Sequence, residues 1–193
     1  VRNKMSMTTT RESSKFSVKQ LALTGLMTAV ICVLGPWSLH IPVSPVPISL
    51  GILGIYFVIS VLGMKLGTVS VVLYILLGLA GVPVFTDFSA GPAKLLGPTG
   101  GYIIGYIFMA PICGFFVDKF GKKLPLYILG MVLGTMVCYF FGTIWLACQL
   151  KRSFWEALMI GVVPYIPADA IKLAAAMLVG PQLRKRLAAA GLL

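Results

Sequence analysis

Apolar residues fall into six runs along this chain, and the charged residues collect between them. The runs cover residues 20–37, 48–62, 66–80, 101–117, 124–147 and 167–186. A helix crossing a typical hydrocarbon core takes about 20 residues, so these runs predict six transmembrane helices. The second and third runs are short for that task and must stand nearly upright or in locally thin bilayer. Between the first two runs, Pro42, Pro45 and Pro47 forbid a continuous helix and predict an extended segment. Gly63, Met64 and Lys65 are a tight turn between the second and third. Ser153 and Glu156 have the spacing of a capping box and predict a short helix ending near Pro164, with Phe154 and Trp155 at a membrane interface.

The longest connection, residues 81–100, contains Gly81, Pro83, Gly91, Pro92, Gly97 and Pro98 beside Phe85 and Phe88. It is too apolar and aromatic for a disordered linker. A folded loop covering the mouth of the bundle is expected. The domain division is a polar tail over 1–19, a six-helix domain over 20–187 and a short tail over 188–193. The first apolar run lacks a small-residue cleavage site and is read as a retained helix.

Composition agrees with the pattern: 59% of the 193 residues are hydrophobic and only 11% are charged. A soluble domain carries about 25% charge, so the fold class is an all-α integral membrane protein. Net charge is +11, but the basic residues form no aromatic-interleaved face and do not point to nucleic acid. With six spans, Arg2, Lys4, Arg11, Lys15, Lys19, Lys65, Lys119, Lys122, Lys123, Arg184, Lys185 and Arg186 share one side of the membrane. Lys94, Lys151 and Arg152 lie on the other. The positive-inside bias therefore places both termini in the cytoplasm and the long loop outside.

Inside the last run, Asp169 and Lys172 stand three residues apart, on one helical stripe with Tyr165 and Ala176. An ionised side chain facing lipid is costly, about 3 kcal/mol at the helix centre on insertion scales, so such groups turn toward the bundle or a wet cavity. Two readings stay open here: a structural ion pair, or a ligand site with one acceptor and one donor.

Other chemistry is excluded. No G-x-x-x-x-G-K-[ST] run exists for ATP phosphates. The single histidine, His40, gives no base for a serine or cysteine nucleophile and reads as a loop residue. Cys32, Cys113, Cys138 and Cys148 have no metal-ligand spacing and read as small core residues, so neither metal nor cofactor is expected. Matched broken-helix halves, as in many secondary transporters, are missing.

Four blocks occur in order: Pro45-Val46-Pro47-Ile48-Ser49-Leu50, Leu76-Leu77-Gly78-Leu79-Ala80-Gly81-Val82-Pro83-Val84-Phe85, Leu96-Gly97-Pro98-Thr99-Gly100-Gly101-Tyr102, and Ile166-Pro167-Ala168-Asp169-Ala170-Ile171-Lys172. Together they resemble the BioY family, the biotin-specific S subunits of bacterial energy-coupling factor transporters. The resemblance implies a multi-pass protein of the bacterial cell membrane that binds biotin near the outer face and is not an enzyme. It also implies that a transmembrane coupling protein and ATPase subunits power uptake. Two alternatives stand beside it: an S subunit for another vitamin, and a membrane-embedded enzyme using Asp169 and Lys172.

Biotin offers two ureido N–H donors, a carbonyl and a carboxylate around an apolar body. The resemblance therefore makes Asp169 and Lys172 the central binding candidates. Lys94, Asp87 and Ser89 are polar candidates in the loop, and Tyr102 and Tyr165 are candidate walls. Thr99 and its glycines are expected to shape the turn rather than touch ligand. Phe85-Thr86-Asp87-Phe88 departs from the glycine-rich run expected in relatives. Gly25 and Ala29 on the first helix form a small-x-x-x-small pair, either for internal packing or, as the resemblance implies, for docking to the coupling protein.

Overall fold

Helix follows the apolar runs almost throughout, and the exceptions arrange the loops around one end of the bundle. A computed structural model describes residues 17–193 apart from Ile41, Val43 and Lys122. Most of the basic tail, including Arg2, Lys4, Arg11 and Lys15, lies outside the described residues.

Helix α1 (Val18–Leu34) starts where the Gln20 side chain accepts the Ser17 N–H at 3.2 Å. It buries Leu23, Thr24, Met27, Thr28 and Ile31 against α2 and leaves Ala22, Gly25, Leu26 and Ala29 exposed. The proline-rich segment beyond it holds a structure that the sequence pattern missed. Ser38–Leu39 (β1) pairs antiparallel with Ile48–Ser49 (β2), Ser38 opposite Ser49. Two-residue strands carry no readable alternation.

The second and third runs form one element, α2 (Gly51–Leu79), broken at Gly63. Gly63 has φ +75° and ψ −162°, a conformation open essentially only to glycine. A Cβ there would lie 2.1 Å from Oδ1 of Asp118. The Asp118 carboxylate sits so close because it caps the second half: Met64 N–H donates to its Oδ2 at 2.8 Å, while Arg184 donates to Oδ1 at 2.6 Å.

The 81–100 connection is folded, with a 3-10 turn at Thr86–Phe88 and the short helix α3 (Pro92–Leu96). Phe85 is its anchor, fully buried edge-on against Tyr74. Helices α4 (Gly100–Phe120) and α5 (Leu124–Leu150) follow. Helix α6 (Phe154–Gly161) opens with the expected capping box, Ser153 Oγ accepting from Glu156 N–H at 3.3 Å. Helix α7 (Ile166–Ala189) completes the chain.

Helix α2 is the hub, packing against α1, α4 and α7, while α5 packs along α4 and carries α6. Among the described residues, four helical stretches are long and apolar enough to cross a membrane: α2, α4, α5 and the α6–α7 segment. Lys19 Nζ lies 3.4 Å from the Gly191 carbonyl, so the start of α1 and the end of α7 share one end of the bundle. Polar pairs stitch the interior, among them Tyr56 with Thr135 and Ser60 with Tyr127. In lipid, where apolar burial between helices gains nothing, such pairs and close packing hold the bundle. All four cysteines are free; Cys113 and Cys138 are buried, Cys32 is half-buried, and Cys148 is exposed.

Candidate functional site

Pro167 starts α7 as a proline should, in the first turn, where its missing N–H costs nothing. That start fixes which stripe of the helix faces inward. Asp169, Lys172, Ala176 and Gly180 are its buried residues. The charged pair is therefore inside the protein, 6% and 7% exposed.

Lys172 Nζ lies 2.8 Å from Asp169 Oδ1 and donates to the Ser49 carbonyl on β2 at 2.7 Å. The Tyr139 hydroxyl of α5 donates to Asp169 Oδ2 at 2.5 Å. Burying an ion pair is costly unless each member is also hydrogen-bonded, and here each is. An ammonium has three protons, and two of those on Lys172 have partners among the described residues. One donor remains for something that enters.

What can enter is set by the cavity in front of the pair, a small space of about 50 Å³ that is partly open at its mouth. Val46, Ser49 and Ile52 form one wall, and Tyr102, Tyr106, Tyr139 and Tyr165 form most of the rest. Thr86 from the folded loop and Thr99 stand on its rim. Two of the tyrosines spend their hydroxyls on backbone: Tyr102 on the Gly161 carbonyl at 2.9 Å, and Tyr165 on the Val46 carbonyl. Their rings are thereby held as walls. The result is a mostly apolar box with one polar end, suited to a small, partly flat ligand. Among the described residues, no cluster of His, Cys, Asp or Glu could hold a metal.

Of the sequence candidates, the structure brings Asp169, Lys172, Tyr102 and Tyr165 to this cavity. The side chains of Asp87, Ser89 and Lys94 are not among its walls. Asp87 is exposed and turned toward Ser38 and His40. The Ser89 hydroxyl folds back on the Thr86 carbonyl at 2.5 Å. Lys94 stands half-buried on α3, its ammonium pushed below the ordinary lysine range by burial and partly restored by the charge of Asp87. Thr99, expected only to shape a turn, lines the cavity. Gly25 and Ala29 are both exposed, and a Cβ on Gly25 would meet nothing within 4 Å, so this pair does not pack inside the bundle.

Sequence reasoning missed Tyr139 and the Ser49 carbonyl. The tyrosine had a signal, since a phenol in the middle of an apolar span needs a hydrogen-bond partner. The carbonyl had none, being main chain. Beside Tyr139 and Asp169, an apolar cleft opens sideways between α5 and the α6–α7 segment, lined by Val132, Met136, Phe140 and Ile166. These two residues separate the polar cavity from that cleft.

A sequence profile of the BioY family matches residues 7–189. The chain belongs to the BioY family. A biotin transporter of that name from Thermotoga maritima is 37% identical over 168 residues, covering 87% of this chain and 97% of the relative. Another from Lactococcus lactis subsp. cremoris is 36% identical over 180 residues, covering 88% and 92%. A crystal structure of the S-component for biotin from an ECF-type ABC transporter superposes with a TM-score of 0.79 at 35% identity, covering 87% and 92% of the two chains. The BioY relatives are transporters, and the reading of Asp169 and Lys172 as the acid and base of a membrane enzyme falls away.

Proposed function

We propose that this protein binds biotin as the substrate-specific subunit of an energy-coupling factor transporter in a bacterial cell membrane. The observation that carries the reading is a buried Asp169–Lys172 pair at the polar end of a tyrosine-walled cavity. Family membership names the ligand, and the cavity has matching chemistry. Asp169 accepts from ureido N–H groups, and the third proton of Lys172 meets a carbonyl or carboxylate. Tyr102 and Tyr165 flank the apolar body. Each carboxylate oxygen has more than one acceptor site, so Tyr139 keeps its hold on Oδ2 while a ligand N–H reaches a remaining lone pair, and the acceptor is already oriented when the ligand arrives.

In this reading six spans cross the bilayer, with the two halves of α2 (51–62 and 64–79) as the second and third. Both termini are cytoplasmic, as the charge bias implies, and the Lys19–Gly191 contact supports an even number of crossings. The cavity then opens outward beneath the 81–100 lid. Asp87, Ser89 and Lys94 belong to that lid rather than to the ligand's polar shell. Energy comes from partner ATPases acting through a coupling protein. The exposed small face of Gly25 and Ala29 is the surface on which that protein's helix would lie. Calorimetry of the detergent-solubilised protein with biotin, thiamine and riboflavin tests the reading: tight binding of biotin alone is expected, and preference for another vitamin overturns it.

A further inference from the structure

The lid turn is tied to the β1–β2 hairpin by one side chain. Ser38 Oγ on β1 donates to Oδ1 of Asp87, and His40 Nε2 stands 3.3 Å from Oδ2. Asp87 N–H donates to the Pro36 carbonyl at 2.9 Å, and Trp37 meets Phe88 edge-on with ring centroids 5.9 Å apart. The two segments joined here border the cavity: Thr86 precedes Asp87, and Ile48 and Ser49 are the strand partners of β1.

The turn is also conformationally loaded. Asp87 and Phe88 have φ of +64° and +53°, a left-handed region that side-chain-bearing residues seldom occupy. Gly81 and Gly91, with φ of +102° and +81° and open space around them, flank the segment as hinges. Phe85 is anchored in the core, so the part held only by surface contacts is the tip from Thr86 to Ser89. A ligand entering or leaving the cavity from the lid end passes this tip.

Taking the cavity as the ligand site, we infer that Asp87 is a positioning residue of the lid. Its carboxylate clasps the turn to the hairpin through Ser38 and His40, and protonation of His40 tightens the clasp so that ligand leaves more slowly at acid pH. Among the described residues, two charged groups bear on His40 and Asp87. Asp87 is the carboxylate opposite the imidazole, and Lys94 on α3 is the cation whose charge Asp87 offsets. A positive charge on the imidazole opposite Asp87 favours the closed lid. The closed state thus gains while His40 carries its proton and loses the gain when the proton leaves. The pair is solvent-exposed, so the effect is modest: about two- to fivefold in dissociation rate between pH 8 and pH 5.5.

The test is the dissociation rate of labelled biotin from protein in nanodiscs, chased with unlabelled biotin at pH 5.5 and 8. The parent should release biotin about two- to fivefold more slowly at pH 5.5. His40→Gln should release it equally at both. Asp87→Asn, which tolerates the left-handed backbone, should release it faster than the parent and without pH dependence. His40 is the chain's single histidine, so a profile that survives in both variants, or is flat in the parent, overturns the clasp. Should no biotin bind at either pH, the reading of the cavity fails instead. Hydrogen exchange over 81–91 in ligand-free protein, corrected for intrinsic pH effects, then decides the clasp. Opening must rise in Asp87→Asn and lose its pH dependence in His40→Gln; unchanged exchange overturns it.

Discussion

Tyr139 on α5 reaches across to α7 and holds the free oxygen of Asp169 at 2.5 Å. It crosses beside an apolar cleft that separates the two helices. The hydroxyl fixes the carboxylate's orientation while Lys172 neutralises its charge, so the acceptor geometry offered to a ligand depends on a residue from another helix. Tyr139→Phe keeps the ring as a wall and removes only the donor. Leaving one oxygen of a buried carboxylate without its partner costs about 1–3 kcal/mol. Calorimetry should show a five- to hundredfold weaker biotin affinity in that variant. Tighter binding would mean that the hydroxyl chiefly competes with the ligand.

The pair itself has a sharper expectation. Asp169→Asn keeps the size of the side chain but removes the charge that Lys172 answers, and Lys172→Ala leaves a buried carboxylate without its cation. Truncating one partner of a desolvated, hydrogen-bonded charge pair costs about 2–5 kcal/mol. Biotin affinity should drop tens- to thousands-fold in each variant. Titrations that stay within threefold of the parent would make the pair purely structural.

The apolar helices were readable because a bilayer demands long apolar runs and tolerates charge only at their ends. Asp169 and Lys172 were readable for the same reason, as charges in a place where charge is costly. What escaped the sequence were relations between distant segments. Gly63 reads as the first residue of a tight turn; its role as a break inside one long helix depends on Asp118, which reaches it from α4. Asp87 reads as a loop carboxylate free to meet a ligand, yet Ser38 and His40 occupy it. Lys172 finds the Ser49 carbonyl only because the proline-rich segment folds into a hairpin. Main-chain partners and long-range pairings leave no mark on local periodicity.

Ligand binding should quieten the lid. With biotin in the cavity, Thr86 on the rim gains a neighbour below it, and the 81–91 segment loses freedom to swing on its glycine hinges. Hydrogen exchange in that segment should slow on adding biotin, while the turn after α4 should not respond. Equal exchange with and without ligand would leave 81–91 as a fixed part of the wall.

Gly63 offers a test of the fold away from the cavity. Alanine there would be forced into φ +75° and its Cβ driven onto Asp118, disturbing the cap on Met64 and the link to Arg184. Strain of this kind costs about 1–3 kcal/mol. For a chain of this size that corresponds to a melting temperature lower by roughly 2–12 °C. Gly25→Ala, whose new methyl meets open space, is the control and should melt within a degree or so of the parent. Equal melting of the two variants would show that the break at Gly63 relaxes at no cost.

The first helix separates binding from coupling. Gly25 and Ala29 face away from the bundle, and the residues that hold α1 to α2 are Leu23, Met27 and Ile31 on the opposite stripe. Replacing both small residues with leucine therefore adds bulk outside the fold and leaves the ligand cavity untouched. In a membrane, helices attract each other through close van der Waals fit, and two leucines would hold a partner helix away from the groove these small residues make. The double variant should bind biotin with parental affinity in calorimetry while failing to co-purify with the coupling protein and failing to support uptake in cells. Loss of binding would mean that α1 carries the fold through this face. Retained uptake would mean that the coupling protein docks elsewhere.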